Sequence, residues 1–177
     1  MSTDADVLRR LDGLGLRWYV TGSWALAAYA EPRMTRDLDV VVDVDLAGYE
    51  RRIRPAFTDA FLVNDPIDLG HRWMGGLIHR VEIARVDLLF GRDDAFARSA
   101  FERRVEVDHP GLGRAWLVSP EDLLLAKLEW SDGGSSELQL RDCRSLVRLN
   151  PELDWRYVEG FAAGLGLGAL LEAVRDG

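Results

Sequence analysis

Hydrophobic and polar positions divide the chain into a strand-bearing part and a helical part. Short runs of branched and aromatic residues, the pattern of strands, occur only between about residues 17 and 118. Strands are predicted at residues 18–20, 38–43, 77–81, 84–90, 105–107 and 115–118, the third and fourth forming a hairpin. Helical spacing predicts helices at 5–14, 24–30, 46–57 and 94–101. Residues 59–76 fit neither pattern.

The chain from Ser119 onward is predicted to be helical throughout. Ser119 before Pro120 is typical of a helix start, with the serine as N-cap. Ser136 and Gln139 have the spacing of a capping box, and further helices are predicted at 154–165 and 167–174. The order of elements predicts an α/β (α+β) fold, a mixed sheet flanked by helices. Residues 1–118 would form the core and residues 119–177 a C-terminal helical cap.

Composition and charge narrow the function classes. The 47% hydrophobic and 29% charged residues of this 177-residue chain are typical of a folded domain. A net charge of −8 argues against a protein that coats long duplex nucleic acid with Lys and Arg, although a local basic mouth over one phosphate group remains open. The single cysteine, Cys143, excludes a disulfide framework and a cysteine-rich zinc site. With no signal-peptide core and no apolar run near ~18 residues, we expect a soluble cytoplasmic protein without membrane contact.

Three aspartates interrupt the two best strands. Asp37 and Asp39 are two residues apart, so the period of a strand places both carboxylates on one face, while Leu38 and Val40 point to the core. Asp87 interrupts the later strand in the same way. If the two strands are neighbours, three carboxylates converge, which is how Mg²⁺ sites are built.

Two other interpretations of these acids stay open. An Asp-x-Asp pair at a strand edge is often a solvated face without function. Arg33 and Arg36, just before the pair, are able to neutralise it or to form ordinary surface ion pairs with Asp37 or Asp43.

Upstream, Gly22 and Ser23 lie between a predicted strand and a helix, where exposed amides attract phosphate.

These spaced motifs together resemble the polymerase-β-like nucleotidyltransferase superfamily. The motifs are Gly22-Ser23-Trp24-Ala25, Arg33-x-Thr35-x-Asp37-x-Asp39 and Val86-Asp87-Leu88-Leu89. Within the superfamily the chain is most similar to the small bacterial AbiEii-like branch, which includes toxins of toxin–antitoxin and phage-defence systems. The Gly-x-Trp-Ala form is also similar to that of aminoglycoside and lincosamide adenylyltransferases. The resemblance covers about residues 18–90, with weaker similarity at 119–127 and 141–142.

The resemblance implies a role for each matched residue. Gly22 and Ser23 would contact a nucleoside triphosphate, and Asp37, Asp39 and Asp87 would be the catalytic acids that hold Mg²⁺. Arg36 is a further candidate for nucleotide binding, as is Lys127, whose ammonium would meet a nucleotide phosphate.

Lys127 is also unusual by its position on the predicted helix. A helical wheel places it in an apolar arc, opposite three acids. The arc is formed by Leu123, Leu124, Leu128 and Trp130, and the acids are Glu121, Asp122 and Glu129. Such a lysine extends to solvent or meets an anion. Arg141 and Asp142 on the next helix are a supporting pair, with Asp142 alternatively an ordinary salt-bridging residue.

Two functions from different classes follow. The first is a Mg²⁺-dependent enzyme that moves a nucleoside monophosphate from an NTP to an acceptor hydroxyl. Its acceptor would be a tRNA end, a protein side chain or a small molecule, in a toxin–antitoxin or defence setting with a partner toxin or antitoxin. The second is a catalytically inactive binding or antitoxin module of the same fold. A third interpretation, an acidic surface that only mimics the motif, predicts no cleft near Gly22.

Overall fold

The chain forms two compact units. A computed structural model describes residues 2–32, 35, 37–82 and 84–176. The first unit takes the described residues of 1–21 and 35–117, and the second those of 22–34 and 118–177. The domain boundaries expected from the sequence, 1–118 and 119–177, stay a prediction; in the structure the described residues of 22–34 and Val118 group with the C-terminal helices. Among the described residues, no helix has both the length and the apolar character needed to cross a membrane.

The first unit is built on one eight-stranded mixed sheet, which confirms the predicted fold class. Its strands are β1 (Trp18–Val20), β2 (Asp37–Val42), β3 (Phe61–Val63), β4 (Ile67–Asp68), β5 (Trp73–His79), β6 (Arg85–Phe90), β7 (Val105–His109) and β8 (Gly113–Leu117). The strand order is β3-β5-β6-β2-β1-β8-β7, with β4 also paired to β5. The pairs β2–β6 and β1–β8 are parallel, and the other pairs are antiparallel.

Helices of the first unit follow the predicted order. They are α1 (Thr3–Gly13), α3 (Leu46–Gly48), a π-helical segment (Tyr49–Ile53), α4 (Arg54–Phe57) and α5 (Ala95–Arg103). The single helix predicted over 46–57 is therefore three consecutive helical pieces. Pro55, at the start of α4, has no amide hydrogen to donate, which interrupts a regular α-helical ladder here.

The ambiguous segment 59–76 contains β3, β4 and the start of β5. Its strands are only three and two residues long, too short to show an alternating pattern. The strand predicted at 77–81 instead begins at Trp73 and ends at His79. Gly75 and Gly76 conceal its first half in the sequence, because a glycine carries no side chain to mark a face.

One face of the sheet is the main core of this unit. Leu38, Val40, Val86 and Leu88 are fully buried there. Tyr49, also fully buried, stacks on Phe90 with the ring centroids 4.4 Å apart and the planes within 5°. Burial raises the pKa of the Tyr49 hydroxyl to about 12.

Gly75 leaves the space that this tyrosine occupies. A Cβ atom added to Gly75 would overlap the Tyr49 ring, 2.7 Å from Cζ. We expect Gly75→Ala to lower the free energy of unfolding by about 1–3 kcal/mol, the usual cost of overpacking. Urea titration tests this. Gly76→Ala is the matched control, because its Cβ meets only the exposed Asn64 side chain, at 3.1 Å. An equal loss in both variants would contradict the assignment.

The second unit is entirely helical in its described residues. Its helices are α2 (Gly22–Tyr29), α6 (Pro120–Glu129), α7 (Glu137–Leu149), α8 (Trp155–Gly164) and α9 (Gly168–Arg175). Ser119 caps α6 as predicted, accepting a hydrogen bond from the Asp122 amide. A helix does begin after Ser136 as predicted, but the predicted capping box is wrong, because the Ser136 side chain makes no capping hydrogen bond.

Candidate active site on the first unit

Two of the three candidate aspartates lie side by side on neighbouring strands. Strands β2 and β6 run parallel, and Asp39 is the register partner of Asp87. Strands in such a pair are about 4.8 Å apart, and paired residues point to the same face. Asp37, two residues before Asp39, shares that face and is the register partner of Arg85. The structure therefore brings all three predicted acids to the starts of two adjacent strands.

Alternation along β2 and β6 explains why the acids face away from the core. Leu38, Val40, Val86 and Leu88 take the buried positions, so the residues between them must point to the other face. Asp37 is exposed and Asp39 half-buried. The Asp87 side chain is only 13% exposed.

The rest of this face is polar near the acids and apolar farther along the strands. The Thr21 amide donates a hydrogen bond to the Asp39 carbonyl at 2.9 Å. Gly76 is the register partner of Asp87, and the Asn64 side chain lies over this glycine. Farther along the face, the Tyr19 ring packs edge-on against Phe101 of α5, with centroids 5.0 Å apart. Helix α5 thus packs on the apolar end of this face.

Arg85 is a site residue that the sequence did not single out. Its Nε donates to Asp87 Oδ1 at 3.0 Å, and its side chain is half exposed. The hydrogen bond to Asp87, together with the charges of Asp87, Asp37 and Asp39, holds the pKa of Arg85 above its ordinary value. The sequence contains the pattern that could have identified Arg85, because this residue is two positions before Asp87 on the same strand and therefore on the same face.

The donor set is of the type that Mg²⁺ prefers, because carboxylate oxygens are its usual protein ligands. Within the part of the chain that the structure describes, however, no three acidic, histidine or cysteine side chains gather closely enough to hold a metal ion. The three carboxylates share a face without meeting at one point, and Asp87 is engaged by Arg85. Holding a cation therefore requires the side chains to close in.

Comparison with known proteins identifies the fold. No protein-family model and no curated protein matches this sequence. Among solved structures, the antibiotic-resistance factor ANT(2'')-Ia superposes with a TM-score of 0.62 and 15% identity, over 94% of this chain and 91% of that one. Its complex with adenylyl-2''-tobramycin gives 0.56 and 13%, over 97% and 98%. A Thermotoga maritima protein assigned to the nucleotidyltransferases gives 0.54 and 18%, over 75% and 85%.

The chain has the nucleotidyltransferase fold. The likeness to these structures is one of fold, shared at low sequence identity. It shows the fold alone, and both the superfamily resemblance and the similarity to the AbiEii-like branch stay predictions. Within this nucleotidyltransferase fold, the acidic face of β2 and β6 is the candidate active site.

The remaining predicted nucleotide-binding residues are Gly22, Ser23, Arg36 and Lys127. Gly22 begins α2 with a φ of 62°, the left-handed conformation that glycine adopts readily, and Ser23 is buried. Both follow Thr21 in the chain. Arg36 lies outside the described residues, as does Arg33. The phosphate-binding roles of these residues stay predictions.

Lys127 meets an anion of its own unit. Its ammonium nitrogen lies 2.8 Å from Asp142 Oδ2 and 3.2 Å from Gln139 Oε1, and the lysine and aspartate side chains are 5% and 4% exposed. Asp142 is thus a salt-bridging helix residue, one of the two alternatives expected for it. Cys143, next to it, is fully buried, and burial raises the pKa of its thiol to about 12.

The acids expected opposite Lys127 are not on a solvated face. Glu121 and Asp122 are 7% and 0% exposed, because α2, α7 and α8 all pack against α6. Asp122 accepts hydrogen bonds from Ser119 Oγ at 2.6 Å and Tyr157 Oη at 2.5 Å. A helix packed on several sides buries its polar residues too, and each then needs a partner.

Proposed function

We propose that this protein is a Mg²⁺-dependent nucleotidyltransferase. It would transfer a nucleoside monophosphate from an NTP to an acceptor hydroxyl and release pyrophosphate. The observation that carries the proposal is the register of β2 and β6, which pairs Asp39 with Asp87 and puts Asp37 on the same face. An accidental acidic surface has no reason to pair carboxylates across two parallel strands, where like charges repel.

Asp37, Asp39 and Asp87 are the residues that would hold the metal. Bound Mg²⁺ would supply charge stabilisation at the transferring phosphoryl group and at the leaving pyrophosphate. The strands fix the backbone of all three residues, and the carboxylates would have to come together by rotation of their side chains, with Asp87 leaving Arg85. Asp87, whose side chain is 13% exposed, is the candidate general base that would accept the proton of the acceptor hydroxyl.

Gly22, Ser23, Arg36 and Lys127 are proposed as nucleotide-binding residues on the strength of the superfamily resemblance. The positive φ of Gly22 and its place at the start of α2 suit close approach of a phosphate to backbone amides. If Lys127 binds the nucleotide, its ammonium would have to contact a phosphate oxygen either in addition to the Asp142 carboxylate or in place of it.

A small hydroxyl-bearing molecule is the acceptor class that we favour over a tRNA end or a protein side chain. ANT(2'')-Ia, which was solved with adenylyl-2''-tobramycin, superposes over nearly the whole of both chains. The net charge of −8 also suits a cationic acceptor better than a polyanionic one. A role in a toxin–antitoxin or defence system, as the AbiEii-like resemblance implies, would instead require a macromolecular target.

The proposal is tested with the purified protein and each of the four NTPs labelled at the α-phosphate. Mg²⁺ is present or chelated, and the acceptors are aminoglycosides, lincosamides, total tRNA and a cell extract. We expect label to move to an acceptor with release of pyrophosphate, and only when Mg²⁺ is available. Absence of transfer to every acceptor, together with absence of Mg²⁺-dependent NTP binding, would refute the proposal.

The engagement of Asp87 by Arg85 favours a second candidate, an inactive binding module with the same fold. A side chain tied to a guanidinium is a poor metal ligand unless that bond exchanges. Calorimetry with Mg²⁺ and each NTP distinguishes the candidates, since the enzyme must bind the metal–nucleotide pair and an inactive module need not. Binding without transfer to any acceptor would favour the inactive module.

A further inference from the structure

The acidic cluster is in contact with a cation that the chain itself supplies, the guanidinium of Arg85. Arg85 Nε lies 3.0 Å from Asp87 Oδ1, and Arg85 is also the register partner of Asp37. The guanidinium thus stands beside two of the three proposed metal ligands. The charges of Asp37 and Asp39 act on it as well as that of Asp87.

This contact differs from an ordinary surface ion pair in its enclosure. In an exposed pair elsewhere on the sheet, Arg114 with Glu106, the two side chains are 83% and 41% exposed. In the Arg85–Asp87 pair the values are 50% and 13%, so solvent screens this bond less. Removing that bond without a replacement cation would leave the enclosed carboxylate beside two others, which repel it.

We propose that Arg85 acts as an internal counter-cation of the metal site, which a divalent ion must displace from Asp87 before the three carboxylates can close around it. The inference rests on the proposed function of the same acids. Two consequences follow from the charge. Without metal, Arg85 keeps the acidic cluster stable; with metal, its repulsion lowers the affinity for the free ion. Repulsion between a divalent ion and a neighbouring guanidinium in water-like surroundings amounts to about a factor of ten in affinity.

The test measures Mn²⁺ binding, as a spectroscopically visible substitute for Mg²⁺, by calorimetry and by paramagnetic relaxation of water protons, with no NTP present. Arg85→Gln removes the charge but keeps an amide donor of similar reach. We expect it to bind Mn²⁺ about tenfold more tightly than the wild type. Arg85→Lys keeps the charge and should bind like the wild type. Arg114→Gln, the matched removal of an arginine charge from the same sheet, should leave Mn²⁺ affinity unchanged.

The outcomes separate this inference from the proposed function. If the wild type binds Mn²⁺ and Asp39→Asn does not, the metal site stands, and unchanged or weaker binding by Arg85→Gln overturns the counter-cation role alone. Tighter binding by Arg85→Lys as well would show that bond geometry, not charge, is responsible, and would overturn it too. If neither the wild type nor Arg85→Gln binds Mn²⁺, the metal site itself is refuted, and this inference fails with it.

Discussion

Asp39→Asn is expected to lower nucleotide transfer about a thousand-fold while the protein stays folded. Asp39 is the middle acid of the cluster, paired across the sheet with Asp87 and two residues from Asp37. A metal-held phosphoryl group gains several kcal/mol of charge stabilisation, and each 1.4 kcal/mol is a factor of about ten in rate. Asparagine keeps the size of the side chain but removes the charge, so the loss reports on metal binding and not on packing.

The fold should survive this change because the strand is held by its backbone. Strand β2 pairs with β1 on one side and β6 on the other, and the half-buried Asp39 side chain is not part of the apolar core. The matched control is Asp43→Asn, just beyond the end of the same strand, where the carboxylate pairs with Arg17 on the surface. That variant should transfer within twofold of the wild type. Equal activity in both variants would show that the acids of β2 have no catalytic role.

Lys127→Met is expected to lower the free energy of unfolding by about 3–5 kcal/mol, the largest stability effect that we predict. The substitution leaves the Asp142 carboxylate, 4% exposed, without the ammonium that now lies 2.8 Å away. A buried charge without its partner is costly because it cannot regain the solvation that it lost on folding. Urea denaturation of the full chain, followed by far-ultraviolet circular dichroism, measures the change.

The double variant Lys127→Met with Asp142→Leu separates the charge effect from packing. Replacing both members of a buried pair by apolar residues is often neutral, so it should recover most of the loss. Arg148→Met is the surface control. Its ion pair with Glu31 is 63% and 67% exposed, and we expect a change below about 1 kcal/mol. A small effect of Lys127→Met would mean that the pair is more solvated than its enclosure indicates.

Much of the local structure follows from the sequence because it depends on neighbours along the chain. The strand at Trp18–Val20 and the cap of Ser119 on α6 have their predicted places. Where the sequence-based predictions were wrong, the structure depends on contacts between residues that are far apart in the chain. Gly75 belongs to a strand that pairs with β6, and Tyr49, twenty-six residues earlier, fills the space beside it. Asp122 is buried because other helices pack against α6, and Tyr157, thirty-five residues later, donates the hydrogen bond that it then needs.

For the candidate site, the sequence by itself determined that Asp37 and Asp39 share a face, since the two-residue period of a strand is a local property of the backbone. Only the tertiary structure decided that β6 lies next to β2, in the register that pairs Asp39 with Asp87. Strand order depends on which apolar faces pack together across the whole sheet, and no local pattern records it. The same holds for Lys127, whose partner Asp142 lies on a separate helix, whereas the nearness of Arg85 to Asp87 follows from the two-residue period of a single strand.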